Sequence, residues 1–322
     1  MRVMKWKKLG HIFNPTEYRL PNECVQFAQS PQVLIFDDLV RIYFSARAVD
    51  RRNGKYLSHI AFVDMKKTFR DVIRVSDKPV IALGGLGCFD EHGIFPMNVV
   101  RHGSAVYGYT CGWNRRSSVS VDTAIGLAVS RDEGLTFSRI GDGPVLAASL
   151  HEPFLVGDGF VKIVGNVFHM WYIFGTGWKN FTPGSPPDRI YKIGHAVSSD
   201  GIDWIKKDGR AIIADRLGTD ECQALPTVIE IGNRWHMFFC YRQPSDFRNN
   251  KDRGYRVGHA WSEDLLTWSR DDENPLLEGT DGDWDADMQC YPHVFSCNGN
   301  VYLLYNGNDF GRHGFGLAVL ES

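Results

Sequence analysis

The stretch KIGHAVSSDGIDW, residues 192–204, recurs along the chain as HIAFVDMKKTF at 59–69, AIGLAVSRDEGLTF at 124–137, RVGHAWSEDLLTW at 256–268 and GFGLAVLES at 314–322, where the chain ends. The closing aromatics Phe69, Phe137, Trp204 and Trp268 stand 68, 67 and 64 residues apart, and 322 residues shared among five copies is about 64 each. The repeats therefore use the whole chain, and no linker is left for a second domain; residues 1–322 are expected to form one domain. Each copy reads as an apolar strand, a turn carrying Asp, Glu or Gly, and a second strand ending in an apolar pair: KPVI at 78–81, GPVL at 143–146, RAII at 210–213 and NPLL at 274–277. Earlier in each unit, two β-rich runs flank turns at Asp37-Asp38, Gly103, Gly165, Gly232 and Gly299, which marks hairpins. The run after each turn is apolar on both faces, as a middle strand stacked between neighbouring sheets must be.

Five four-stranded antiparallel units without helical periodicity predict an all-β fold, a five-bladed β-propeller. The fifth copy stops after its third strand, and KWKKLGHIFNP at 5–15 reads as a fourth strand without a unit of its own. Residues 5–13 are accordingly expected to pair with 314–321. A linear array of β-sandwich modules is the alternative, and it would leave the fifth module unfinished.

Composition narrows the function classes. With 36 Lys and Arg against 38 Asp and Glu, the formal net charge of −2 gives no global reason to bind a nucleic-acid backbone or an anionic membrane. No apolar run of signal-peptide or membrane-span length is present, so a soluble, cytoplasmic protein is expected. Seven cysteines without a C-x-x-C pair read as free, mostly buried thiols rather than as a disulfide framework or a zinc site. No H-x-x-x-H, G-x-x-x-x-G-K-[ST], G-x-G-x-x-G or G-x-S-x-G pattern occurs, and neither metal nor organic cofactor is expected.

In an antiparallel blade, the loops entering the first strand and those joining the second to the third emerge on one face, around one mouth of the axial channel. First strands start near Pro31, Pro96, Asp158, Pro226 and Pro292. Just before four of these starts stand Asp90 and Glu91, Glu152, Asp220 and Glu221, and Asp287; blade one offers Glu23. Carboxylates converging on one mouth suit glycosidic bond cleavage, in which one acid protonates the leaving oxygen and one carboxylate acts as base or nucleophile. Glu221 is expected to be the general acid, with Asp90, Glu91, Asp158 and Asp287 as base or pKa modulators. Asp158 holds the strand-start position that Pro occupies elsewhere. The other reading is that these acids are simply solvated loop carboxylates.

The second-to-third-strand loops carry Arg47, Arg51, Arg52, Arg115, Arg116, Lys179, Arg189, Arg242, Arg248, Lys251, Arg253 and Arg312. Arginines beside acids suggest an anionic ligand, which the guanidinium fork grips well; alternatively they pair with those acids and hold loops in place. Arg47 and Arg242 are the best placed, because each directly ends a second strand. Further substrate-binding candidates are Glu23, His92, Tyr291, Trp113 and Trp178 for contact or stacking, and Asn306 and Asn308 for vicinal hydroxyls. His195 and His259, in two copies of G-H-A, read as packing residues.

The phrase A-x-S-x-D-G-x-x-W, standing as Ala196–Trp204 and in variant form as Ala260–Trp268, resembles the blade phrase of the five-bladed arabinanase, levansucrase and invertase superfamily. Residues 291–321 look like the ending of uncharacterised glycosidase-like proteins found with bacterial surface-polysaccharide biosynthesis genes. The resemblance implies a propeller and a carbohydrate, sugar-phosphate or nucleotide-sugar ligand. Invertase-like families place Asp directly before Pro in blades one and two, where this chain has Ser30 and Phe95; their Glu-Cys acid is matched by Glu221-Cys222. These departures turn the expectation from retaining transfer toward an inverting hydrolase or a related sugar-active enzyme. A non-catalytic carbohydrate- or sugar-nucleotide-binding propeller is the alternative function.

Overall fold

The computed structural model describes residues 4–207, 209–273, 275–280 and 282–321. It is all-β. Strands β2 (Gln26–Ile35), β3 (Leu39–Val49), β4 (Tyr56–Lys66) and β5 (Val72–Val75) form the first antiparallel unit. The second contains β6 (Gly93–His102), β7 (Ala105–Arg115), β8 (Val121–Ser130) and β9 (Ser138–Arg139), and one bridge between Ser58 and Gly93 joins it to the first. The third contains β10 (Val156–Val164), β11 (Val167–Lys179), β12 (Asp188–Ser198) and β13 (Ile205–Lys206); the fourth contains β14 (Cys222–Ile231), β15 (Arg234–Arg242), β16 (Arg256–Ser262) and β17 (Ser269–Arg270). The last sheet places β1 (Trp6–Phe13) beside β20 (Phe315–Leu320), followed by β19 (Asn300–Asn306) and β18 (Cys290–Cys297). The N-terminal strand thus pairs antiparallel with the C-terminal one, from Trp6 opposite Leu320 to Phe13 opposite Phe315.

Local chemistry sets these elements. Gly103, Gly165, Gly232 and Gly299 turn the hairpins at φ of 59°, 61°, 65° and 75°, a region open to glycine without steric cost. In the repeated phrase, the Ser and Asp of S-x-D close the next turn. Ser198 Oγ accepts from the Gly201 amide at 2.9 Å, and Asp200 Oδ1 accepts from Ile202 and Asp203 at 2.8 and 2.9 Å. Ser130 with Asp132 and Ser262 with Asp264 repeat the arrangement, and the Thr267 and Leu266 amides draw Asp264 down to about 2.

The closing aromatic of each phrase packs on a middle strand of the preceding unit. Phe137 meets Tyr43 at 5.9 Å between ring centroids, Trp204 meets Tyr109 at 5.8 Å and Trp268 meets Trp171 at 6.2 Å. Phe69 of the first unit meets Tyr302 of the last at 4.9 Å, and Trp6, in the N-terminal strand, meets Phe238 of the fourth at 5.4 Å. Tyr43 and Tyr109 also donate to the carbonyls of Gly134 and Gly201 in the following unit, at 2.7 and 3.0 Å. The middle strands are buried on both faces because each has a neighbour on either side.

The fourth strands differ from the expectation. In the second, third and fourth units they begin directly after the closing aromatic and pair over only two residues. The apolar pairs plug the core, with Val80, Ile81, Leu146, Ile213 and Leu277 all buried, and among the described residues only Val145-Leu146 and Ile212 still bond the backbone of the third strand, at Ile125 and Ile193. Burial outweighs ladder extension there, since a Pro in KPVI, GPVL and NPLL removes a ladder donor. Asn274 of NPLL lies outside the described residues. All seven cysteines are free and six are buried, as their spacing suggests. Among the described residues no helix is long and apolar enough to cross a membrane.

Deleting residues 1–13 should strip β20 of its outer ladder, leaving only its pairing with β19, and remove Phe13, whose ring packs on Phe44 and Phe315 at 5.2 and 5.3 Å. A fall in melting temperature of ten degrees or more is expected, with loss of a single cooperative transition. A truncated chain melting with the intact one would overturn the role assigned to β1.

Candidate functional site

Each innermost strand carries a register break near its start. The breaks fall between Gln29 and Gln32, Ile94 and Met97, Gly157 and Phe160, Ala224 and Thr227, and Cys290 and His293. Ser30, Asp158, Leu225 and Tyr291 sit there at φ of 53°, 51°, 48° and 55°, a left-handed geometry that costs a non-glycine residue on the order of 1 kcal/mol or more. Bulges of this kind re-aim side chains. Gln29, Phe95, Asp158, Ala224 and Tyr291 thereby line one cavity of about 460 Å³.

Five arginines line the same cavity: Arg47, Arg189, Arg242, Arg248 and Arg312. Arg47, in β3, donates through Nε to Gln29 Oε1 at 3.0 Å and lies over Phe27. Arg242 ends β15 and is 2 % exposed; its Nη1 donates to the carbonyls of Gln243 and Pro244 at 2.7 and 3.0 Å, and its Nη2 to Tyr191 Oη at 2.9 Å. Arg242 and Arg248 share the Phe247 ring, at 3.5 and 4.4 Å from its centroid. Arg312 donates to Gln26 Oε1 at 2.7 Å. Among the described residues no carboxylate forms an ion pair with any of the five. Trp113, Tyr191, Tyr255 and Phe310 complete much of the wall.

The cavity's two carboxyls are Asp158 and Asp309. Asp309 is exposed. Asp158 is buried, and that burial pushes its pKa up to about 7; the nearby Arg189 charge, the Leu225 backbone and the Cys111 thiol pull it back only in part. A carboxyl poised there exchanges a proton near neutrality. Among the described residues no group of three or more His, Cys, Asp and Glu side chains is placed to hold a metal ion.

The carboxylates that recur before the first strands do different work. Asp90 pairs with Arg139 of β9, Glu152 with Lys206 of β13 at 2.6 Å, Glu221 with Arg270 of β17 at 2.6 Å, and Asp285 with Lys8 of β1 at 2.6 Å. All four carboxylates are fully buried and none lines the cavity. Glu221 also accepts from Gln223 Nε2 and from the amides of Arg216 and Leu217 at 3.0, 2.9 and 2.8 Å. These partners hold Glu221 in its own unit, away from the cavity wall. Glu221, expected as the general acid, thus does not line the cavity whereas Asp158 does, and in the fifth unit the pinned residue is Asp285, with Asp287 exposed beside it.

Of the other expected site residues, Arg47, Trp113, Arg242 and Tyr291 line the cavity. Glu91 accepts the Gly87 amide at 3.0 Å, and His92 stacks on Trp113 without reaching the wall itself. Trp178 packs against the core, and Glu23 pairs with Arg51 beside a separate cleft. Asn306 is spent on backbone: it donates to the carbonyls of Ala28 and Gly314 and accepts from the Ser30 amide. Asn308 accepts from the amides of Asp287 and Met288. His195 and His259 pair with His169 and His236 at 3.1 and 3.0 Å, packing roles as expected. Tyr191, Tyr255, Phe247 and Phe310 were not legible as wall residues, although Phe247-Arg248 and Phe310 close to Arg312 set an aromatic beside a cation in two units.

Arg270→Ala should leave Glu221 buried without its cation and cost about 3–5 kcal/mol, read as a lower denaturant midpoint. Adding Glu221→Gln to that variant should restore part of the loss. An additive double variant would mean that the two side chains are not coupled.

No family model matches the chain. Two uncharacterised proteins of Mycobacterium tuberculosis, MT1551 and Rv1502, are each 33% identical over 325 residues, covering 99% of this chain and 100% of theirs. Among solved structures, a glycoside hydrolase superposes with a TM-score of 0.75 at 16% identity, over 99% of this chain and 93% of its own. A putative glycoside hydrolase from Parabacteroides distasonis gives 0.69 at 14% identity over 99% and 97%. The GH43_1 enzyme from Xanthomonas citri, complexed with xylotriose, gives 0.62 at 12% identity over 98% and 90%. The chain belongs to the family of these mycobacterial proteins and shares the fold of the five-bladed arabinanase-, levansucrase- and invertase-like glycosidases.

Proposed function

We propose that this protein is a single-domain, closed five-bladed propeller enzyme that acts on a glycosidic or activated-sugar bond of an anionic sugar. Asp158 is its general acid. The observation that carries the reading is the buried, cavity-facing Asp158, with its pKa pushed up to about 7, beside arginines that lack carboxylate partners. Burial keeps the carboxyl protonated up to neutrality, so it can protonate a departing oxygen. Asp309, at the exposed side of the same cavity, supplies the second carboxylate and acts as base on water. Aromatic walls offer faces for a sugar ring, and the arginines offset the repulsion that a carboxylate would exert on an anionic substrate. That glycoside hydrolases share the fold supports the class of chemistry, though one fold hosts many reactions.

Asp158→Asn should lower turnover by about 10²–10⁴-fold on a panel of aryl glycosides and sugar acids while sparing binding. Turnover in the native protein should decline as pH rises through about 7, where Asp158 loses its proton. Stability has the same sign. Because the folded pKa lies above the unfolded one, the contribution is fully present below about pH 4 and lost as pH rises to about 7. Asp158→Asn should therefore raise the melting temperature more at pH 8 than at pH 5. Native turnover in this variant would end the assignment. The exposure of Asp309 favours the second reading, a non-catalytic sugar-binding propeller, in which no substrate of the panel turns over and Asp158→Asn changes only the pH dependence of binding.

A further inference from the structure

Three of the cavity arginines form a group of their own. Arg242 and Arg248 share the Phe247 ring, and Arg189 and Arg242 share the Tyr191 ring, whose centroid lies 5.9 and 5.4 Å from their guanidinium carbons. The pKa of Arg248 is lowered first by desolvation and then by the charges of Arg189 and Arg242, which is direct electrostatic crowding. Arg242 is the fixed member. Two carbonyls and Tyr191 hold the outer nitrogens of its fork, while its Nε, also buried, has no hydrogen-bond partner. A donor left unsatisfied at a buried site costs about 1–3 kcal/mol, and three neighbouring cations that no carboxylate ion-pairs repel one another besides, unless a ligand completes them.

The geometry points to a subsite for a phosphoryl dianion at Arg189, Arg242 and Arg248. This rests on the anionic-ligand reading above and names the anion. A single carboxylate would leave most of the local charge unbalanced. A phosphoryl group brings close to two charges and three acceptor oxygens, a match for several guanidinium forks at once. Arg189 ties the subsite to Asp158, whose carboxyl it influences directly, so the phosphoryl group sits within electrostatic reach of the acid. Two sources share this chemistry: a phosphate ester carried by the sugar, and free inorganic phosphate held beside it.

Calorimetric titration of the full chain with inorganic phosphate, a hexose phosphate, a hexuronate and the neutral hexose tests this. Phosphoryl ligands should bind at least tenfold more tightly than the hexuronate, and binding should weaken as salt rises. Hexose phosphate binding at least tenfold tighter than inorganic phosphate and the hexose assigns the ester; inorganic phosphate binding as tightly as the hexose phosphate assigns the free ion. Arg248→Gln, at an exposed side chain, and Arg189→Gln should each weaken the phosphoryl ligand about tenfold or more with unchanged melting temperature. Arg242→Lys adds the buried member if it folds. Asp158→Asn should retain phosphate binding, so loss of the catalytic assignment and loss of this subsite read out separately. Equal affinity for hexuronate and hexose phosphate, or native phosphate affinity in both glutamine variants, would overturn the inference.

Discussion

A buried carboxylate held by a cation from the outermost strand of its own unit governs where four of the innermost strands begin. The chain must cross a whole sheet from its outermost strand to begin the next innermost one, and it does so through a loop with few ladder bonds of its own. Asp90, Glu152, Glu221 and Asp285 fix that crossing by reaching Arg139, Lys206, Arg270 and Lys8. Such pairs add little net stability over an apolar substitute, because desolvation cancels much of their Coulomb gain. Their value is positional. With the crossing fixed, the bulge falls at the same place in successive inner strands, and the bulges place side chains on the cavity.

The repeat was legible because its turn chemistry and its aromatic are local requirements. Asp200 must meet amides two and three residues on, and Trp204 must reach Tyr109 of the preceding unit, so the residue types recur at fixed spacing. Most of the acids were legible as a register, but their cation partners were not. A carboxylate that faces a cation in its own unit and one that faces a ligand look alike in one dimension. A distinguishing signal did stand in the chain: a cation two residues after the closing aromatic, as Phe137 with Arg139, Trp204 with Lys206, Trp268 with Arg270 and Trp6 with Lys8. The first unit has Phe69-Arg70-Asp71 instead and lacks the cation at that place. The short fourth strands escaped notice for another reason, since apolar pairs after Pro satisfy a strand pattern and a core plug equally well.

Charge is distributed unevenly in a chain that is nearly neutral overall. Arg51, Arg52, Arg116 and Lys179, all in loops of the same class as the cavity arginines, are matched by Glu23, Asp50, Asp122 and Asp220. The five that line the cavity are not. The reading in which loop cations pair with neighbouring acids is therefore realised by the first subset and not by the second. What separates the subsets is their surroundings: the paired cations each meet a carboxylate, whereas Arg47, Arg189 and Arg242, on strands β3, β12 and β15, lie against aromatic rings.

On the proposal made above, the anion subsite and the acid are coupled. Burial raises the Asp158 pKa and Arg189 restrains the rise, so the resting value reflects two opposed effects of one cavity. An anion seated on Arg189 offsets its charge, and the restraint weakens. Asp158 then holds its proton more firmly at the moment a substrate is present, and each further unit of pKa corresponds to about 1.4 kcal/mol of preference for the protonated form. A cavity with five arginines and one buried carboxyl is, on that proposal, self-adjusting. The ligand that the arginines attract is also the agent that keeps the acid charged with its proton, and a neutral sugar in the same space would leave Asp158 nearer to its ionised state.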